Sequence, residues 1–258
     1  MHWIGAGAPA WITLSAVAVV GFIAGVQNSL AGGGSFLTFP VLLLTGLDPR
    51  AANVTSAVAL FPGQLATGFA SRSGVVGLPS LSVRALVLIS LFGGGAGALL
   101  LLATPTDFFN TLVPWLVLFA TAVFAWGSFG NRGSSDRRLG TPAAFLAQVA
   151  ISIYGGYFGG GISILMLAAL TMAGLPVRGA WATKNLLAAV MNASAVLIFA
   201  FSAAVDWKQV LVLGTGAIIG GQLGAYAFHR VNERILRIGI VLLGVGLTVG
   251  LFWRAARS

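Results

Sequence analysis

Long apolar stretches, separated by short polar or glycine-rich breaks, make up almost the whole chain. Because none of them alternates apolar and polar residues with a period of two, the pattern favours helices over the strands of a membrane barrel. Two segments, 35–45 and 162–173, are short, since eleven helical residues cover about 16 Å, roughly half of a bilayer's hydrocarbon core. The breaks predict ten helical segments, at residues 10–30, 35–45, 51–70, 81–103, 108–128, 142–158, 162–173, 180–203, 207–228 and 233–253.

The second half of the chain repeats the first. Both halves carry a glycine-rich break after their first segment and then a short second segment. A shift of about 128 residues aligns Gly32 with Gly160, Gly33 with Gly161, Ser35 with Ser163, Arg50 with Arg178 and Thr55 with Thr183. Such regular spacing indicates an internal duplication. We therefore predict a first transmembrane repeat at 10–129, a linker at 130–141 and a second transmembrane repeat at 142–253.

The number of membrane crossings in each repeat decides how the two repeats are related. If the first two segments form a re-entrant hairpin, or if all five segments span, the count is odd and the repeats are inverted. If the first two segments form one broken helix, the count is four and the repeats are parallel. The inverted arrangement gathers most basic residues on one face, which is then cytoplasmic, although Arg254 and Arg257 fall on the other face. We expect an all-α integral membrane protein of two inverted repeats, each with four or five transmembrane or re-entrant helices, a cytoplasmic linker and both termini outside.

The composition agrees with a membrane protein. Hydrophobic residues make up 58% of the chain, charged residues make up 7%, and the mean hydropathy is +0.97, whereas soluble domains carry about 25% charged residues. With no cysteine and two histidines, we expect no thiolate or histidine metal site and no cofactor. The net charge of +9 is typical of basic cytoplasmic loops or of attraction for an anionic substrate. The scattered basic residues do not predict nucleic-acid binding.

The two glycine-rich breaks are the best candidates for a binding site. Backbone amides at membrane depth must be hydrogen-bonded, so an irregular segment is tolerated only where it is buried in protein or lines a cavity. Each break is followed by a helix start, whose free N–H groups and positive dipole end favour an anion. The alternative is that the glycines only allow close helix packing. The candidate residues at the breaks are Asn28, Ser29, Gly32, Gly33, Gly34, Ser35, Tyr157, Gly159, Gly160, Gly161 and Ser163.

Lys184 is the most informative single residue, because it lies just inside an otherwise apolar segment. A cation at such depth costs about 3 kcal/mol on insertion scales and usually marks function. It would neutralise an anionic substrate or carry a coupling proton. The alternative is snorkelling to the interface from the third or fourth helical position. Asn53, Thr55 and Asn185 are neutral groups near the starts of the matching segments, and they would bind oxyanion oxygens or bond to neighbouring helices.

Acidic residues are confined to loops and segment ends, so a carboxylate proton relay or a charged sodium site is disfavoured. This distribution favours an anionic substrate over a cationic one. A serine hydrolase would need a base near Ser35 or Ser163, and no histidine lies near either serine in the sequence. We therefore do not expect an enzyme.

The order and spacing of these motifs resemble the sulfite exporter TauE/SafE family, from about residue 15 to residue 252. The motifs that carry the resemblance are Asn28-Ser29-Leu30-Ala31-Gly32-Gly33-Gly34-Ser35, Phe39-Pro40, Ala52-Asn53-Val54-Thr55, Phe61-Pro62-Gly63, Tyr154-Gly155-Gly156-Tyr157-Phe158-Gly159 and Lys184-Asn185-Leu186-Leu187. Two positions depart from the family pattern: Ala57 stands where an asparagine is expected, and Ile162-Ser163 follow the second glycine run. The resemblance implies a secondary transporter of small sulfur-containing or organic anions, such as sulfite or sulfonates, driven by the proton gradient in a bacterial inner membrane.

The sequence thus predicts a transporter whose midplane anion site lies between the two glycine breaks, with alternating access around that site. Its expected partners are the lipid bilayer, a small anion and a coupling proton. The sequence does not predict its oligomeric state. Three alternatives remain at this point: a duplicated ten-helix transporter of uncharged metabolites, an anion channel, and a membrane scaffold that transports nothing.

Overall fold

The computed structural model describes residues 9–30, 33–129, 139–227 and 233–255. Within these ranges the chain forms ten α-helices, one 3₁₀ turn at Arg72–Gly74, and no strand. The predicted all-α chain is confirmed. The helices are α1 (Ala10–Leu30), α2 (Ser35–Leu44), α3 (Pro49–Ala70), α4 (Val83–Ala103), α5 (Thr106–Phe129), α6 (Thr141–Tyr157), α7 (Ile162–Met172), α8 (Val177–Ala200), α9 (Trp207–Ala227) and α10 (Glu233–Ala255).

The predicted segments match these helices, with small differences at their starts that local chemistry explains. α3 begins at Pro49, two residues earlier than predicted, because the Asp48 carboxylate accepts hydrogen bonds from the N–H groups of Arg50 and Ala51. α8 begins at Val177, directly after Pro176, rather than at residue 180. Most of the predicted linker, residues 130–138, lies outside the described residues.

Within the part of the chain that the structure describes, four helices are long and apolar enough to cross a membrane, namely α1, α4, α5 and α8. Large apolar side chains such as Phe92 and Leu211 are exposed on the surface, as they are in a protein surrounded by lipid. Tryptophans near helix ends, including Trp126 and Trp207, are also exposed, which suits anchoring at the membrane interface.

The same set of helix contacts occurs in both halves of the fold. When α1–α5 are paired in order with α6–α10, α1 packs against α9 as α6 packs against α4. In the same way, α3 contacts α9 as α8 contacts α4, and α2 contacts α10 as α7 contacts α5. The two halves therefore use one packing scheme twice.

Helices α3 and α8 lie against each other and run in opposite directions. Near the start of α3, Thr55 bonds to Asp206, which follows the end of α8. Further along α3, Gly68 lies against Ala189, and Ser71 bonds to Asn185 near the start of α8. This order of contacts shows that α3 and α8 are antiparallel.

The counterpart pair α5 and α10 has the same antiparallel geometry. Trp115 stacks edge-on against Phe252 with ring centroids 4.9 Å apart. Two turns further along α5, Thr121 lies against Gly244, and Phe124 shares a buried cluster with Ile240. Residue numbers thus rise along α5 as they fall along α10.

The interface of α1 with α9 depends on glycine. A Cβ on Gly220 would overlap the backbone of Phe22, whereas a Cβ on Gly246 of α10 would meet no atom within 4 Å. Close backbone approach of this kind is typical of helix packing in membranes, where the driving force is van der Waals contact.

We expect Gly220→Ala to destabilise the protein by about 1–3 kcal/mol, because the added methyl group forces the two backbones apart. Gly246→Ala is the matched control, and it should be neutral or slightly stabilising because alanine favours a helix. Thermal unfolding midpoints in detergent micelles test both variants. Equal midpoints for the two variants would contradict this packing.

Candidate functional site

After the first glycine break, α2 packs against α1. The Asn28 side-chain oxygen accepts a hydrogen bond of 2.7 Å from the N–H of Gly34. A Cβ on Gly34 would lie 2.8 Å from the carbonyl oxygen of Ala24, so a larger residue does not fit. Gly33 has a φ of +88°, a conformation that residues with a side chain rarely adopt. α2 therefore starts next to α1 and does not continue its axis.

The second glycine break, between α6 and α7, has different supporting bonds. The Tyr154 hydroxyl donates a hydrogen bond of 2.7 Å to the carbonyl oxygen of Gly160. Gly161, the N-cap of α7, has a φ of +75°. Among the described residues, the N–H of Ser163 in the first turn of α7 has no hydrogen-bond acceptor, so it is free to bind a ligand.

The two breaks and the antiparallel pair α3/α8 line a cavity of about 90 Å³. A volume of this size holds several waters or a small polyatomic ion. It is far smaller than the pockets of about 300–1,000 Å³ that take drug-sized ligands. Nine residues that the sequence singled out line it: Asn28, Gly33, Ser35, Asn53, Gly159, Gly161, Ser163, Lys184 and Asn185.

Four other predicted residues lie off the wall of this cavity. The Thr55 hydroxyl accepts a hydrogen bond from the N–H of Asp206. The Tyr157 ring packs edge-on against Phe109, and its carbonyl oxygen accepts a bond of 3.0 Å from Asn53 Nδ2. The N–H of Gly34 and the carbonyl of Gly160 are engaged within their own breaks. Gly32 and the side chain of Ser29 lie outside the described residues.

The cavity wall also contains polar residues outside the main candidate set. Ser56, Gln64, Thr67 and Asn192 line the cavity but were not among the candidate site residues of the sequence. Their signal was helical spacing, because Ser56, Gln64 and Thr67 follow Asn53 at intervals of three to eight residues on one face of α3. In α8, Lys184, Ala188 and Asn192 share a face in the same way.

Lys184 is the one cationic side chain on the described wall of the cavity, and no carboxylate lies on that wall. It is 8% exposed and makes no ion pair or hydrogen bond with the described residues, and its Nζ lies 5.9 Å from the centre of the Trp181 ring. Because α8 begins at Val177, Lys184 is its eighth residue, and the snorkelling alternative assumed the third or fourth. The cavity therefore combines a buried cation with two positive helix ends.

Comparison with known proteins decides the family. The model of the family described as sulfite exporter TauE/SafE matches residues 17–251, nearly the whole chain. The protein belongs to this family. No solved structure matches the chain.

Relatives within the TauE/SafE family carry the names of transporters. The chain is 34% identical over 238 residues to the probable membrane transporter protein ORF9 of Sinorhizobium sp., covering 90% of each chain. It is 27% identical over 245 residues to the probable membrane transporter protein YfcA of Escherichia coli K12, covering 94% of this chain and 90% of the relative. A probable membrane transporter protein of Haemophilus influenzae is 28% identical over 233 residues. Together with its apolar helices, these matches make this TauE/SafE protein an integral membrane transporter.

The left-handed conformation of Gly161 predicts that a substitution at this position destabilises the protein. Gly161→Ala should cost about 1–2 kcal/mol because a Cβ is disfavoured at positive φ. Gly140→Ala is the matched control, since Gly140 is the N-cap of α6 with a φ of −65° and any loss of capping affects both variants. Thermal unfolding in detergent should show the larger loss for Gly161→Ala. A larger loss for Gly140→Ala would contradict the described turn.

Proposed function

We propose that this TauE/SafE protein is a secondary transporter of small sulfur-containing or organic anions, such as sulfite or a short sulfonate. The observation that carries the proposal is the burial of Lys184 beside the cavity without an anionic partner among the described residues. An ammonium group held out of water is stabilised by a nearby negative charge. A small anion in the cavity would supply this charge.

The neutral groups of the cavity fit the oxygens of such an anion. Asn53 and Asn185 each use one hydrogen bond of Nδ2 within the protein, to Tyr157 and Ser71 respectively. An amide Nδ2 carries two hydrogens, so each retains one donor. The free N–H of Ser163 adds a backbone donor at a helix start. A cationic substrate would find no carboxylate on the described wall.

Alternating access would follow from inverted repeats. A two-fold axis in the membrane plane relates counterpart helices that run in opposite directions, whereas an axis along the membrane normal relates parallel ones. The antiparallel geometry of α3 with α8, and of α5 with α10, supports the inverted arrangement. One repeat would rock against the other around the cavity, with the linker 130–141 on the cytoplasmic side of the plasma membrane.

The proton gradient is the proposed energy source. Because no carboxylate lines the described cavity wall, a coupled proton would move on the substrate itself or on Lys184. Uptake driven by an imposed pH gradient, at constant membrane potential, is the expected behaviour. An uptake rate that does not depend on the pH gradient would refute proton coupling.

Lys184→Gln should lower kcat/KM for the anion at least about tenfold, because the buried charge that pairs with the substrate is lost. Lys184→Arg keeps the charge and should retain part of the activity. The matched control is Lys208→Gln, which removes the other lysine of the chain, an exposed one at the start of α9. The measurement is uptake of labelled sulfite and of a short sulfonate into proteoliposomes. Wild-type rates in Lys184→Gln would overturn the role of the lysine, and folded wild-type protein that takes up neither anion would overturn the substrate class.

A further inference from the structure

Two threonines at equivalent positions tie the repeats together across the fold. Thr55 is the seventh residue of α3, Thr183 is the seventh residue of α8, and both are 0% exposed. Each bonds to a loop of the other repeat. Thr55 contacts the loop 201–206 between α8 and α9, and Thr183 contacts the loop 71–82 between α3 and α4.

The bonds are short and directed at backbone groups. The Thr183 hydroxyl donates to the carbonyl oxygen of Val76 at 2.8 Å and accepts from the N–H of Val76 at 3.0 Å. The Thr55 hydroxyl accepts from the N–H of Asp206 at 3.0 Å. The three bonds are partly buried, so losing either tie removes a protein partner from backbone groups of the loop.

Each tie sits at one end of the cavity. Thr55 directly precedes the lining residues Ser56 and Ala57, and Thr183 directly precedes the lining residues Lys184 and Asn185. Since α3 and α8 are antiparallel, the two ties lie at opposite ends of this helix pair. The loops 71–82 and 201–206 are therefore bonded next to opposite ends of the cavity, on opposite faces of the protein.

We propose that the hydrogen bonds of Thr55 and Thr183 control the opening of the cavity towards opposite faces during the transport cycle. Opening the cavity towards the face of loop 71–82 requires the Thr183 tie to break, and opening towards the face of loop 201–206 requires the Thr55 tie to break. This inference rests on the alternating access of the proposed function, but it does not depend on which substrate is carried. A purely structural role for the two threonines predicts a general loss of stability, without any preference for one face.

The test uses the absence of cysteine from the natural chain. Ala188→Cys places a reporter at the middle of the cavity wall on α8. Ser80→Cys and Ala203→Cys, made separately at exposed loop positions, identify the two faces. The reporter is labelled with a membrane-impermeant maleimide added to one face of full-length protein in membrane vesicles. The quantity measured is the ratio of labelling rates from the Ser80 face and the Ala203 face.

Thr183→Val should raise this ratio about fivefold and Thr55→Val should lower it about fivefold, since a lost hydrogen bond changes a conformational equilibrium by about that factor. Thr183→Ser and Thr55→Ser keep the hydroxyl and should restore the wild-type ratio. Thr215→Val, which removes an exposed hydroxyl within α9, is the matched control and should leave the ratio unchanged. If a valine variant does not fold, the alanine variant replaces it.

Shifts in the same direction for both valine variants, or no shift in either, would overturn the proposal. The labelling assay needs no substrate, so its result is separate from that of the uptake assay. Opposite shifts in a protein that carries neither sulfite nor sulfonate would support the ties and refute only the substrate class. Lys184-dependent uptake without opposite shifts would support the substrate class and refute the ties.

Discussion

A lysine ammonium group held inside an apolar helix bundle is the electrostatic constraint on which the site depends. Lys184 lines the same cavity as the starts of α2 and α7, whose dipoles also present positive charge. The described wall supplies no carboxylate to offset either. The proposed anion would offset the charge of the desolvated lysine and of the two helix ends.

The two glycine breaks satisfy irregular backbone groups with hydrogen bonds from different side chains. Irregular backbone inside a membrane protein needs local hydrogen bonds, because lipid offers none. In the first break an asparagine side chain accepts from Gly34, and in the second a tyrosine hydroxyl donates to Gly160. The two breaks therefore differ in the side chain that supports them. The supporting residues Asn28 and Tyr154 come from the helix before each break, so the bonds are local in sequence.

Helices α3 and α8 combine polarity with burial at the centre of the fold. Asn53, Thr55 and Ser56 of α3, and Thr183, Lys184 and Asn185 of α8, are all buried. Polar residues at this depth bond across the repeat boundary, as Asn53 does to Tyr157 and Asn185 does to Ser71. The interface between the two halves of the chain is therefore polar where it meets the cavity. Elsewhere, as between α1 and α9, it depends on close glycine packing.

The sequence alone predicted the helices, the two breaks and a candidate site that includes Lys184. Each of these features can be recognised in a short segment of sequence, from the length of an apolar stretch, its glycine content or an isolated charge. Tertiary structure decided which polar residues share the cavity. Gln64 and Thr67 reach it through the face that α3 turns towards α8, whereas Thr55 on the same helix bonds to Asp206, 151 positions away in the chain. Tyr157 is likewise directed away from the cavity by its packing against Phe109. Contacts between helices that are distant in the sequence fix these orientations. A short segment of sequence does not show which helices will pack against each other.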